Sequence, residues 1–130
     1  MKTPSEMLQF SGKYQHAQKK QHALAFRQIY QKFAAGEYAI FTFVGESCSR
    51  NDSPGPWHIS VAITNKHLFL SGETLHGQLM PLYATYIYDR KQITAVQLQG
   101  RQLVLHCGND IIKIQGENLG TIVSKLKNLL

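Results

Sequence analysis

Residues 57–70, Trp57-His-Ile-Ser-Val-Ala-Ile-Thr-Asn-Lys-His-Leu-Phe-Leu70, alternate large apolar positions with polar or small ones on both sides of a short polar break. A period of two marks a strand with one face buried. With Asn65-Lys66 as a two-residue turn, Ile63 stands opposite Leu68 and Val61 opposite Leu70, so both strands send aliphatic side chains to one side. Trp57, Ile59, Val61 and Ile63 are expected on the inner face, and His58, Ser60, Ala62 and Thr64 on the outer one. The same register turns Phe69 outward beside Ala62, and a large apolar ring there requires a cover.

The segment before this hairpin offers that cover. Thr3-Pro-Ser-Glu6 reads as a helix start, with Thr3 as N-cap, Pro4 in the first helical position and Glu6 returning to the cap; Ser11-Gly12 breaks the helix. A second helix is expected from Lys13 to Ala35, with Phe26, Ile29, Tyr30 and Phe33 on one face and Gly36 ending it. Phe26, Tyr30, Phe33 and Phe69 therefore form the expected helix-docking or protein-contact surface. Beyond Gly36 the period switches to two again, with a first strand over Tyr38–Val44 and a long irregular turn over Gly45–Pro56.

Further strands are expected over Ala84–Tyr88, Ile93–Gln99, Gln102–Cys107 and Asp110–Gln115, with turns at Gln99-Gly100-Arg101 and Gly108-Asn109. Leu119, Ile122, Val123, Leu126, Leu129 and Leu130 then recur at helical spacing, with Asn118 as cap and Lys125 and Lys127 on the wet side. At about 1.5–3 kcal/mol per buried aliphatic side chain, such a helix must dock on the sheet. The 130 residues, 43% of them apolar, suffice for one core. The expected organisation is an N-terminal helical extension, residues 1–35, on a β-rich remainder, residues 36–130.

Charge is distributed unevenly. The net +6 arises mostly from the first 35 residues, where six bases oppose Glu6 alone, whereas the rest holds eight bases against seven acids. Lys13, Lys20 and Arg27 follow a seven-residue period with Lys19 alongside, a stripe suited to anionic lipid headgroups. Cys48 and Cys107, without CxxC spacing or an export signal, read as free thiols in a reducing cytoplasm. No apolar run approaches the roughly 18–20 residues of a spanning helix.

No catalytic or metal constellation emerges. His16 and His22 fall on different helix faces, and His58 and His67 stand roughly 20 Å apart along the hairpin at about 3.4 Å per residue. His106 and Cys107, adjacent on a strand, face opposite ways, and Cys107 joins Leu103 and Leu105 as a core residue. Gly45-Glu-Ser-Cys-Ser49 lacks the second glycine and following helix of a nucleophile elbow. No Gly-rich phosphate loop with lysine is present, and no cofactor is expected.

Seven short strands followed by one amphipathic helix, with Gly36-Glu37, Ile63-Thr-Asn-Lys-His-Leu-Phe-Leu70, Tyr86-Ile-Tyr-Asp-Arg-Lys-Gln-Ile-Thr-Ala-Val96 and the final helix, resemble the bacterial pleckstrin-homology-like (PH-like) domains over about residues 36–130. The resemblance implies a mainly β fold with α: a seven-stranded antiparallel barrel of two orthogonal sheets capped by a C-terminal helix. It also implies a noncatalytic platform that binds phosphoinositides, peptides or other subunits. The phosphoinositide-binding members carry several bases after strand one; here Arg50 and His58 face Glu46 and Asp52, which disfavours a specific phosphoinositide. The expectation is a cytoplasmic binding or scaffolding module acting through protein association, including self-association into a homo-oligomer. The alternative is a peripheral binder of anionic membranes using Lys13, Lys19, Lys20 and Arg27. Nucleic acid is disfavoured.

Overall fold

The hairpin forms in the expected register, Ile63 opposite Leu68 and Val61 opposite Leu70, between β2 (Ser53–Thr64) and β3 (His67–Glu73) in the computed structural model, which describes residues 1–16, 20–74 and 82–130. Before it come α1 (Pro4–Ser11), α2 (Lys20–Tyr30) and β1 (Ala39–Arg50). After it come β4 (Tyr83–Asp89), a 3₁₀ turn over Arg90–Gln92, β5 (Ile93–Gln99), β6 (Gln102–Cys107), β7 (Asp110–Gln115) and α3 (Leu119–Leu129). The seven strands join in one antiparallel sheet of order β4-β3-β2-β1-β7-β6-β5.

One cluster draws on both halves of this sheet: Phe43, Val61 and Leu70 from one side, Leu105 and Ile112 from the other, and Leu126 of α3. The sheet therefore curls around its own inner face, with α3 packed on β5 and β6. β1 makes the turn. Its last residues, Ser47–Arg50, pair with both β2 and β7, and at Gly45 a Cβ would lie 2.7 Å from the Ile114 side chain and 3.1 Å from the Gln115 carbonyl. Only a glycine lets the strands approach so closely there.

The outer face of β1–β3 is covered by the N-terminal segment. Phe69 is fully buried in a second cluster with Met7, Phe26, Ile29, Val44 and Ala62, and the Phe33 ring lies 5.6 Å from its own. Polar groups under the helices are matched. The Gln15 side chain donates to the Val44 and Glu117 carbonyls and accepts from the Val44 amide, all at 2.8 Å, continuing the ladder of β1 past the point where β7 ends at Gln115. Ser60 donates to the His22 carbonyl, and Thr42 to that of Met7.

Four expectations are corrected. Among the described residues the helix expected over 13–35 is regular from Lys20 to Tyr30; Tyr14 and Gln15 lie in turns bonded back to Ser11, and Gly36 (φ 77°) ends a later loop rather than the helix. Gly45–Pro56 is no irregular turn: β1 runs to Arg50 and β2 starts at Ser53, because Asn51 and Asp52, at φ 53° and 65°, close a two-residue hairpin. Among the described residues β2 at Pro54 pairs with β1, and its pairing with β3 runs from Trp57 onward, so Pro54 interrupts no ladder described there. His58 (φ 47°) forms a bulge that breaks the alternation and leaves Trp57 42% exposed. Asn118 precedes α3 but makes no side-chain cap, donating instead to the Tyr14 carbonyl.

Candidate functional site

The residues singled out from the sequence do not gather into one site. Phe26 and Phe69 are spent on internal packing, Phe33 lies half-buried against Phe69, and Tyr30 remains 45% exposed. Phe69 therefore offers no contact surface to another chain. The basic stripe is divided: Lys13 sits after α1 with its ammonium 4.8 Å from the Phe10 ring, while Lys20 and Arg27 are exposed on α2. Lys19 lies outside the described residues. The break between the helices removes the single face that the seven-residue period implied.

The β1–β2 hairpin, expected to be the ligand-holding loop, is engaged with the sheet itself. The Arg50 guanidinium stacks 4.0 Å over the Tyr86 ring, and hydrogen bonding with Tyr88 raises its pKa. Burial pushes the Tyr88 phenol up to about 12, and its hydroxyl donates to Asp110 at 2.7 Å. The Asn51 amide and then the Tyr88 hydroxyl hold the Asp110 carboxyl below its ordinary value. Arg50 thus joins β1, β4 and β7 and is poorly disposed to meet a phosphate.

The thiols are inert. Burial pushes both Cys48 and Cys107 up to about 12, so neither is a thiolate at neutral pH. Among the described residues no three His, Cys, Asp or Glu side chains are placed to hold a metal ion. One histidine pair does form, between helix and sheet: the His22 and His58 rings lie 6.2 Å apart, and His58 Nδ1 is 3.2 Å from Glu73. Sequence spacing gave no sign of it, since it depends on the bulge and on where α2 docks.

What the fold leaves open lies at the other end of the sheet. Among the described residues β5 pairs only with β6, so its outer backbone groups form a free edge. Beside that edge runs a groove of about 290 Å³, walled by Ile93, Ala95 and Val96 of β5 and by Lys127 and Leu130 at the end of α3. At the Ile93 end it meets a larger cavity of about 660 Å³, since Ile93 and Leu130 line both. Lys66 and His67 of the β2–β3 turn, and Asp89, Arg90 and Lys91 after β4, form its polar wall.

That wall is fixed by hydrogen bonds. The Arg90 amide donates to the Lys66 carbonyl at 3.0 Å, tying the two turns together, and Lys66 Nζ donates to the Ala35 carbonyl. Behind His67 lies Glu37, its side chain fully buried. Burial alone would raise the Glu37 pKa, but donation from the Ala34 amide, the Thr64 hydroxyl and His67 Nδ1 outweighs it and holds the carboxyl below its ordinary value. Neither cavity nor groove was expected from the sequence. Lys66, Arg90 and Lys91 are isolated bases in two turns, and only the pairing of β3 with β4 brings those turns side by side.

No protein-family model, curated protein or solved structure matches the chain.

Proposed function

We propose that this chain is a noncatalytic binding module of the PH-like type, its sheet curled into two crossing halves closed by α3, and that it acts through protein association. The carrying observation is the free edge of β5, among the described residues, beside a groove of mixed lining in which Ile93, Ala95, Val96 and Leu130 supply the apolar part. An extended segment fits both features: its backbone completes the hydrogen bonds of the edge, and alternate side chains enter the groove. The inert thiols, the buried or bonded polar groups and the strand order support the reading. Phe69, covered by α2, offers no surface for self-association.

The test is to pan a library of random dodecapeptides against the full chain and, in parallel, to float the chain with neutral and with anionic vesicles. The expected result is enrichment of peptides with alternating apolar residues, and no flotation with either vesicle. Failure to enrich any peptide, together with salt-sensitive flotation on anionic vesicles, would replace this reading with membrane binding through Lys20 and Arg27.

A further inference from the structure

We infer that the segment received by β5 carries acidic residues on its C-terminal side, and that the cavity of Lys66, Arg90 and Lys91 is where those acids bind. The inference rests on the β5 reading and adds the direction and chemistry of the occupant. Every pairing in the sheet is antiparallel, and antiparallel pairs are slightly the more stable. A strand added antiparallel to β5 runs from the Gln99 end toward Ile93, so its C-terminal flank leaves the edge at Ile93. There the groove opens into the cavity, whose lining side chains set three permanent cations against the one side-chain carboxylate of Asp89.

The three cations are poorly neutralised from within. No ion pair to Lys66, Arg90 or Lys91 forms among the described residues, and the buried Glu37 carboxylate behind the wall already accepts from Ala34, Thr64 and His67. The Arg90 and Lys66 main chains are bonded to each other, so the bases stand on a fixed base rather than on a loose loop. An anionic group arriving there gains charge-assisted hydrogen bonds without having to order the wall. A second copy of this chain is the wrong occupant. The flank of β5 is Gly100-Arg101, so pairing β5 with β5 would bring another cation to a cavity already cationic.

The experiment repeats the dodecapeptide selection on the full chain and on the K66E/R90E/K91E variant, with an amide-resolved NMR spectrum of each to verify folding. Peptides enriched on the unaltered chain are expected to carry Asp or Glu C-terminal to the alternating stretch. The variant is expected to keep the alternating stretch and lose the acids. Should the variant not fold, the affinity of an enriched acidic peptide for the unaltered chain is measured between low and high salt. A fall of about tenfold is expected from three screened pairs, against little change for the same peptide with glutamine in place of its acids. Alternating peptides without a C-terminal acidic bias, a bias unchanged in the folded variant, or equal salt dependence of the two peptides would overturn the inference and leave the β5 reading standing. Absence of any alternating stretch would overturn both.

Discussion

Glu37 shows how much one side chain settles in this fold. Its buried carboxylate joins the loop leaving α2 to the β2–β3 turn, accepting from Ala34, Thr64 and His67. Because folding lowers its pKa, these bonds contribute stability that is fully present above the unfolded value near 4.5 and lost as pH falls through the folded value. Glu37→Gln is therefore expected to cost about 1–3 kcal/mol at neutral pH, and the difference from the unaltered chain should narrow below pH 4.5 in urea melts. A difference independent of pH would show that the carboxylate's charge plays no part. The sequence gives little sign of this role, since Glu37 stands between a glycine and a tyrosine with no acidic or basic neighbour. Gln15 was equally hidden. It reads as one more polar residue in a Lys/Gln-rich stretch, and its value lies in a gap of the β1 ladder that only the folded sheet contains.

Elements were readable where alternation and burial agree. In β2 and β3 the apolar positions specify both face and register, and β5, β6 and β7 fall on the expected residues because positive-φ glycines, Gly100 and Gly108, separate strongly alternating runs. Reading failed where local chemistry points two ways. Asn51-Asp52 followed by two prolines looks like a loop, yet the same pair closes a hairpin, and among the described residues the prolines sit where β2 pairs with β1 alone. The Lys/Gln-rich run after Gly12 has helical composition, but Gln15 and Tyr14 are held in turns by contacts with Val44 and Asn118. The outward Phe69 did signal that a helix must pack there. Phe69→Ala opens a cavity between α2 and the sheet and is expected to cost about 3–5 kcal/mol, with the amides of α2 losing hydrogen-exchange protection first. An unchanged denaturation midpoint would show that α2 is held by something other than this contact.

At the scale of the whole molecule, the N-terminal helices, the curled sheet and α3 divide the surface between covered and open parts. α1 and α2 cover the outer face of β1–β3, the β1–β2 hairpin is tied to β4 and β7 through Arg50, Tyr88 and Asp110, and among the described residues β5 is left with a free edge, a groove and a cationic cavity in line. The broad architecture could be read from strand count and the final helix. The site could not, because it depends on which strand ends at an edge and on turns distant in sequence meeting in space. Among the described residues no helix is long and apolar enough to cross a membrane. The most direct measurement is hydrogen exchange, followed by NMR, of the full isotope-labelled chain with and without a saturating peptide selected as above. Protection should rise at the outward amides of Ile93–Gln99, with shifts at Lys127 and Leu130; protection confined to α2 or to β4 would contradict the assignment of β5 as the binding edge.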